Sequence, residues 1–122
     1  MHWLLVFVGG GLGAAARHGI NRAGLALLGP GFPWWTLGVN VLGSFLIGLL
    51  AGLFEVMGTG QNARLFLTTG FLGGFTTFSA FSLDALTLWE RGAMLQAGLY
   101  VAGSVIASLI AVIAGLMISR LI

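Results

Sequence analysis

Gly70-Phe71-Leu72-Gly73-Gly74-Phe75-Thr76-Thr77-Phe78-Ser79-Ala80-Phe81-Ser82 is the stretch on which the reading of this chain turns. It carries no formal charge and sets an adjacent glycine pair before two threonines. Glycines weaken a helix, and threonine hydroxyls can re-satisfy the backbone groups that a weakened helix releases, so the segment predicts a helix interruption at bilayer depth. Such an interruption is tolerated only where it is buried in protein or faces a wet cavity. Freed carbonyls there make a set of hard oxygen ligands for a cation, as at the discontinuous helices of transporters; the other reading is a flexible kink that binds nothing.

Outward from this segment, the charge-free run extends from Leu65 to Leu83, and two longer ones cover Ala23 to Phe54 and Gly92 to Ser119. Trp3 to Ala16 begins a fourth apolar stretch. A bilayer crossing by a helix takes about 20 apolar residues, so the gaps between charges predict four transmembrane helices. Only 7% of the residues are charged and 58% are hydrophobic, against roughly 25% charged in soluble domains. The spans leave no room for a soluble unit, which predicts one all-α membrane domain over residues 1–122.

The punctuation sets the boundaries. The first span runs from about Trp3 to Leu28 and stops at Gly29-Pro30-Gly31. Pro33-Trp34-Trp35 opens the second, with tryptophans suited to the headgroup level, and it runs to about Met57 before Gly58-Thr59-Gly60-Gln61-Asn62. The third covers about Ala63 to Glu90, and after Arg91-Gly92 the fourth covers about Met94 to Leu121. The first segment lacks a basic n-region, so it reads as a retained helix and not as a cleaved signal. Short loops favour an antiparallel bundle.

With four spans, Arg64, Arg120 and the amino terminus share one side, and Arg17, Arg22 and Arg91 the other. Orientation follows the Lys/Arg bias, so this near tie predicts insertion both ways up, and oppositely inserted copies can pair about a two-fold axis in the membrane plane. Stripes of small residues supply packing faces: Gly9 and Gly13; Asn40, Ser44, Gly48 and Gly52; Gly103, Ala107, Ala111 and Gly115.

The arginines are dispersed, so the pI near 10.6 does not point to nucleic acid. No cysteine is present, which excludes thiolate metal sites and cysteine nucleophiles. His2 and His18 have no carboxylate in sequence reach, and the glycine motifs lie in apolar helix, so nothing in the chain reads as an enzyme. Polar residues within the spans are the candidates for function. Asn40 shares a face with Thr36 and Ser44, and either bonds across the bundle or lines a wet path. Tyr100, Ser104 and Ser108 form a track four residues apart. Phe75, Phe78 and Phe81 recur every third residue, roughly one helical face, and the positive edges of such rings can meet an anion. Asp84 is available to pair with an arginine.

Three strings carry a family resemblance: Gly10-Gly11-Leu12-Gly13-Ala14-Ala15-Ala16-Arg17, Val39-Asn40-Val41-Leu42-Gly43-Ser44, and Gly73-Gly74-Phe75-Thr76-Thr77-Phe78-Ser79. In order and spacing they resemble the signatures of the Fluc (CrcB-like) fluoride channels, with Tyr100, Ser104 and Ser108 where that family has a polar track. The resemblance implies an antiparallel, dual-topology homodimer in the cell inner membrane, with two fluoride pores and passive fluoride export that confers fluoride resistance. It implies that Phe78 and Phe81 are the pore phenylalanines, with Ser79 beside them, and that Asn40 is the pore amide. Arg17 corresponds to a vestibule arginine. The backbone carbonyls of Gly73 and Thr76, two from each subunit, correspond to the ligands of a central structural sodium ion. The partners so implied are a second copy, fluoride and membrane lipid. Ala80 stands where a threonine is common, His18 where a tyrosine is usual, and Asp84 where a glutamate is usual. The rival reading is a dual-topology, proton-coupled exporter of small cations, which needs a mid-membrane carboxylate; the first span offers none before Arg17.

Overall fold

In hydrocarbon a backbone has no hydrogen-bond partner except itself, and the long apolar runs of this chain meet that demand with helix. The computed structural model describes residues 1–58 and 60–122; Thr59, in the turn expected between the second and third spans, lies outside the described residues. The order is α1 (His2–Leu28), α2 (Trp34–Met57), α3 (Gln61–Arg64), a π-helix over Leu65–Leu72, α4 (Gly73–Phe75), α5 (Phe78–Glu90) and α6 (Met94–Leu121). Four segments are long and apolar enough to cross a membrane: His2–Leu28, Trp34–Met57, Gln61–Glu90 and Met94–Leu121. The four expected spans are therefore present, within one or two residues of their expected ends, in an all-helical multi-pass membrane protein without a strand among the described residues. Gly58 closes α2 in the left-handed region (φ 62°), its N–H donating to Phe54 O, a conformation that costs glycine no Cβ clash.

Two helix pairs build the chain. α2 packs along α6, and α1 packs along the first half of the third span. Lipid tails are as apolar as leucine, so these pairs are held by close backbone approach and not by a hydrophobic drive between helices. A Cβ on Gly48 would strike Val112 O, and one on Gly115 would strike Phe45 O. Across the other pair, a Cβ on Gly13 would strike Phe71 O and one on Gly74 would strike Gly10 O. Only part of the α6 stripe serves this packing: Ala111 and Gly115 are buried, whereas Gly103 is exposed and has open space where a Cβ would stand. Gly13→Ala is accordingly expected to destabilise the protein by about 1–3 kcal/mol through overpacking, read as a lowered thermal midpoint in detergent, with Gly103→Ala unchanged as its control.

The third span departs from a plain helix in two places. Over Leu65–Leu72 it widens into a π-helix, a rare element often associated with function, in which the Gly73 N–H reaches Thr68 O; no sequence signal marked it. Further on, α4 ends at Phe75, Thr76 (φ −82°, ψ 157°) and Thr77 (φ −151°, ψ 125°) are extended, and helix resumes at Phe78. The non-helical residues are thus the threonines and not Gly73-Gly74, which remain helical. Gly74 is small because Gly10 of α1 lies against it, while β-branched threonine suits extended backbone. The two extended residues also split the expected aromatic face. Phe75 is buried in a cluster with Val39 and Leu72 and stacks on Phe71 at 5.9 Å, whereas Phe78 lies 79% exposed on the surface of the chain.

Candidate functional site

Extended backbone between two helices needs outside partners, and Asn40 on α2 supplies both for Thr77. The Thr77 N–H donates to Asn40 Oδ1 at 2.8 Å, and Asn40 Nδ2 donates to Thr77 O at 2.9 Å. One donor and one acceptor on the same residue fix which way the amide points, and one Nδ2–H is left over. Thr77 also caps α5, its Oγ1 accepting from the Ala80 N–H at 3.1 Å. Thr77 was not among the expected site residues, although a threonine just before a helical run is a legible N-cap signal.

Diverting these two amide donors has a consequence for the carbonyls before them. The intrahelical donor for Gly73 O would be the Thr77 N–H, now on Asn40, and that for Thr76 O would be the Ala80 N–H, now on Thr77 Oγ1. Between them, Gly74 O accepts from Arg17 Nε at 3.2 Å. The Thr76 side chain folds back, its Oγ1 donating to Leu72 O at 2.9 Å. Gly73 is exposed on the surface of the chain, with room around it.

Beside the extended residues lies a cavity of about 290 Å³, lined by Asn40, Ser44, Thr76, Phe78, Phe81 and Ser104 among others. Phe81 is 9% exposed and stands between Phe78 (centroids 5.6 Å apart, planes at 44°) and Tyr100 (5.2 Å, 37°). Ser104 is buried and its Oγ has no hydrogen-bond partner, so this hydroxyl can serve something entering the cavity. Tyr100, fully buried, donates its hydroxyl to Asp84 Oδ2 at 3.2 Å. Asp84 thus takes a tyrosine and not the arginine that the sequence offered; Arg91 instead donates to Gly31 O at 3.2 Å, tying two loops together. Ser108 is half-buried and Ser79 exposed, and neither lines the cavity. Ser79 Oγ lies 3.4 Å from Thr77 Oγ1. The fold therefore brings together Asn40, Phe78, Phe81 and Ser104, backs them with Tyr100, and leaves Ser79 and Ser108 off the cavity wall.

An apolar cavity with a few neutral donors inside a four-span membrane protein suits an ion whose water must be replaced, and the chain's relatives can be read on that basis. Residues 4–116 match the family model described as CrcB-like protein, Camphor Resistance (CrcB). This chain belongs to the CrcB-like family. Among similar members, it is 56% identical over 118 residues to the fluoride-specific ion channel FluC of Paracoccus denitrificans (strain Pd 1222), covering 97% of this chain and 94% of that one. It is 55% identical over 116 residues to the fluoride-specific ion channel FluC of Sphingopyxis alaskensis, covering 94% and 92%. With the protein of the same description from Rhodopseudomonas palustris (strain BisB5) it shares 54% identity over 123 residues, covering all of this chain and 99% of the relative. Near full-length CrcB-like relatives at such identity leave no span unmatched.

Proposed function

We propose that this CrcB-like protein is a fluoride-selective channel through which fluoride leaves the cell down its gradient. The observation that carries the reading is identity above one half, over nearly the whole chain, to relatives described as fluoride-specific ion channels. Fluoride is small and strongly hydrated, so a pore must replace its water without holding it long; several weak donors meet that demand better than one fixed charge. The spare Nδ2–H of Asn40, the unpaired Ser104 hydroxyl and the ring edges of Phe78 and Phe81 are such donors. Tyr100, its hydroxyl given to Asp84, shapes the wall behind Phe81. Arg17, held at Gly74 O, contributes positive potential near the path. Ser79 and Ser108 belong, in this reading, to stretches of the path outside the cavity.

The working unit of the proposal is two copies inserted in opposite orientations, with two pores, in the cell inner membrane. The near tie of arginines across the spans supports dual insertion, and the exposure of Phe78 and Gly73 supports a second copy that covers them. The interruption at Thr76–Thr77 then lies near the middle of the bilayer. A structural sodium ion fits this arrangement, because Gly73 O and Thr76 O have lost their helical donors and are hard neutral oxygens. Bound there, the ion would supply fixed positive charge and join the two copies.

Purified protein in liposomes loaded with fluoride, read with a fluoride electrode, tests the function. Rapid fluoride efflux, no comparable chloride efflux and no dependence on an imposed proton gradient are expected. Flux that requires the proton gradient would transfer the protein to the coupled exporters, and no flux of any ion would leave it without a transport role.

A further inference from the structure

A second cavity, of about 380 Å³, lies away from the pathway where α2 ends and the third span begins, lined by Ala51, Phe54, Glu55, Arg64 and Thr68. We propose that it binds a zwitterionic phospholipid headgroup, with the phosphate on Arg64 and the ammonium on Glu55. Both charged residues are exposed, so they stand at the polar end of their helices. The Arg64 guanidinium lies over the Phe54 ring, 5.9 Å from its centroid, and its N–H fork suits the oxygens of a phosphate. Opposite charges on one small cavity complement a headgroup that carries both signs, whereas a headgroup charged at its phosphate alone would leave Glu55 without a counter-charge.

Two further observations point to an occupant. Thr76, Ser82 and Thr87 each donate a hydroxyl to the carbonyl four residues earlier, but Thr68, in the π-helix, makes no such bond, and its buried Oγ1 has no partner. Thr68 lines the cavity one turn beyond Arg64. On the same two segments as the lining residues, Val56, Met57 and Leu67 are exposed apolar side chains, available to acyl chains that a soluble phosphate compound would lack. A lipid thus accounts for the charges, the idle hydroxyl and the exposed apolar neighbours together.

Native mass spectrometry of the purified protein, titrated with phosphatidylethanolamine or phosphatidylglycerol, tests the assignment. Phosphatidylethanolamine is expected to bind about tenfold more tightly than phosphatidylglycerol, the effect of losing one favourable charge contact when the ammonium is replaced by an uncharged glycerol. Glu55→Gln should erase that preference while retaining phosphatidylglycerol. Arg64→Ala should weaken both lipids about tenfold, and Arg64→Lys should restore part of the loss, which separates phosphate binding from a folding defect. Equal retention of the two lipids by the unaltered protein, or unchanged retention in Arg64→Ala, would overturn the proposal. So would competition by glycerophosphoethanolamine at concentrations equal to those of the lipid, which would make the acyl chains irrelevant. None of these results depends on fluoride permeation.

Discussion

Asn40→Leu is expected to abolish fluoride efflux and to destabilise the protein by about 2–5 kcal/mol, because it removes the partners of both the Thr77 N–H and the Thr77 carbonyl. Leucine matches asparagine in size but bonds to neither the Thr77 N–H nor its carbonyl, both of which Asn40 now serves at 2.8 and 2.9 Å. The Thr77 N–H would then return to its helical acceptor, Gly73 O, and the extended residues would tend toward continuous helix. Thermal unfolding in detergent reads the stability, and the fluoride electrode reads the flux. Asn40→Asp separates the two roles. A carboxylate still accepts from the Thr77 N–H, so much of the stability should return, but it donates no hydrogen bond and repels an anion, so efflux should stay absent. Wild-type efflux in Asn40→Leu would remove Asn40 from the pathway.

The second large effect is expected at Phe81. Phe81→Ile should eliminate fluoride efflux and leave the assembly intact, with a stability loss of about 1–2 kcal/mol for a hydrophobic exchange of changed shape. Isoleucine keeps most of the apolar contact with Phe78 and Tyr100 but has no ring edge to turn toward an anion. Size-exclusion elution checks the assembly, and liposome efflux checks the function. Efflux at the unaltered rate would take the phenylalanines out of the mechanism.

The fold was legible because its signal is one-dimensional. A charge-free run of sufficient length can only be helix in lipid, and Gly29-Pro30 and Arg91-Gly92 punctuate the runs locally. What sequence left hidden depends on neighbours. Gly73-Gly74 looked like the weak point of the third span, yet Gly74 is small because α1 presses Gly10 against it, and the extended residues fall at Thr76 and Thr77. Asn40 was conspicuous as an amide within an apolar helix, but its partner is main chain 37 residues away, and main chain carries no sequence signature. The Phe75, Phe78 and Phe81 face ran across the segment where an interruption was expected, and the extended threonines set Phe75 apart from the other two rings. Ser104 was readable from its track, whereas the pairing of Tyr100 with Asp84 needed the turn between α5 and α6 to fold first.

The end-to-end meeting of α4 and α5 has an electrical consequence. A helix carries partial negative charge at its C-terminus and partial positive charge at its N-terminus. At Thr76–Thr77 one of each pole occurs within the length of two residues, the oxygens of Gly73 and Thr76 belonging to the first and the leading amides of α5 to the second. A stretch of polypeptide with no ionised side chain thereby sets partial negative and partial positive charge side by side. Both polarities come from peptide groups that fold with the chain, and neither requires an arginine or a glutamate to be dragged into hydrocarbon.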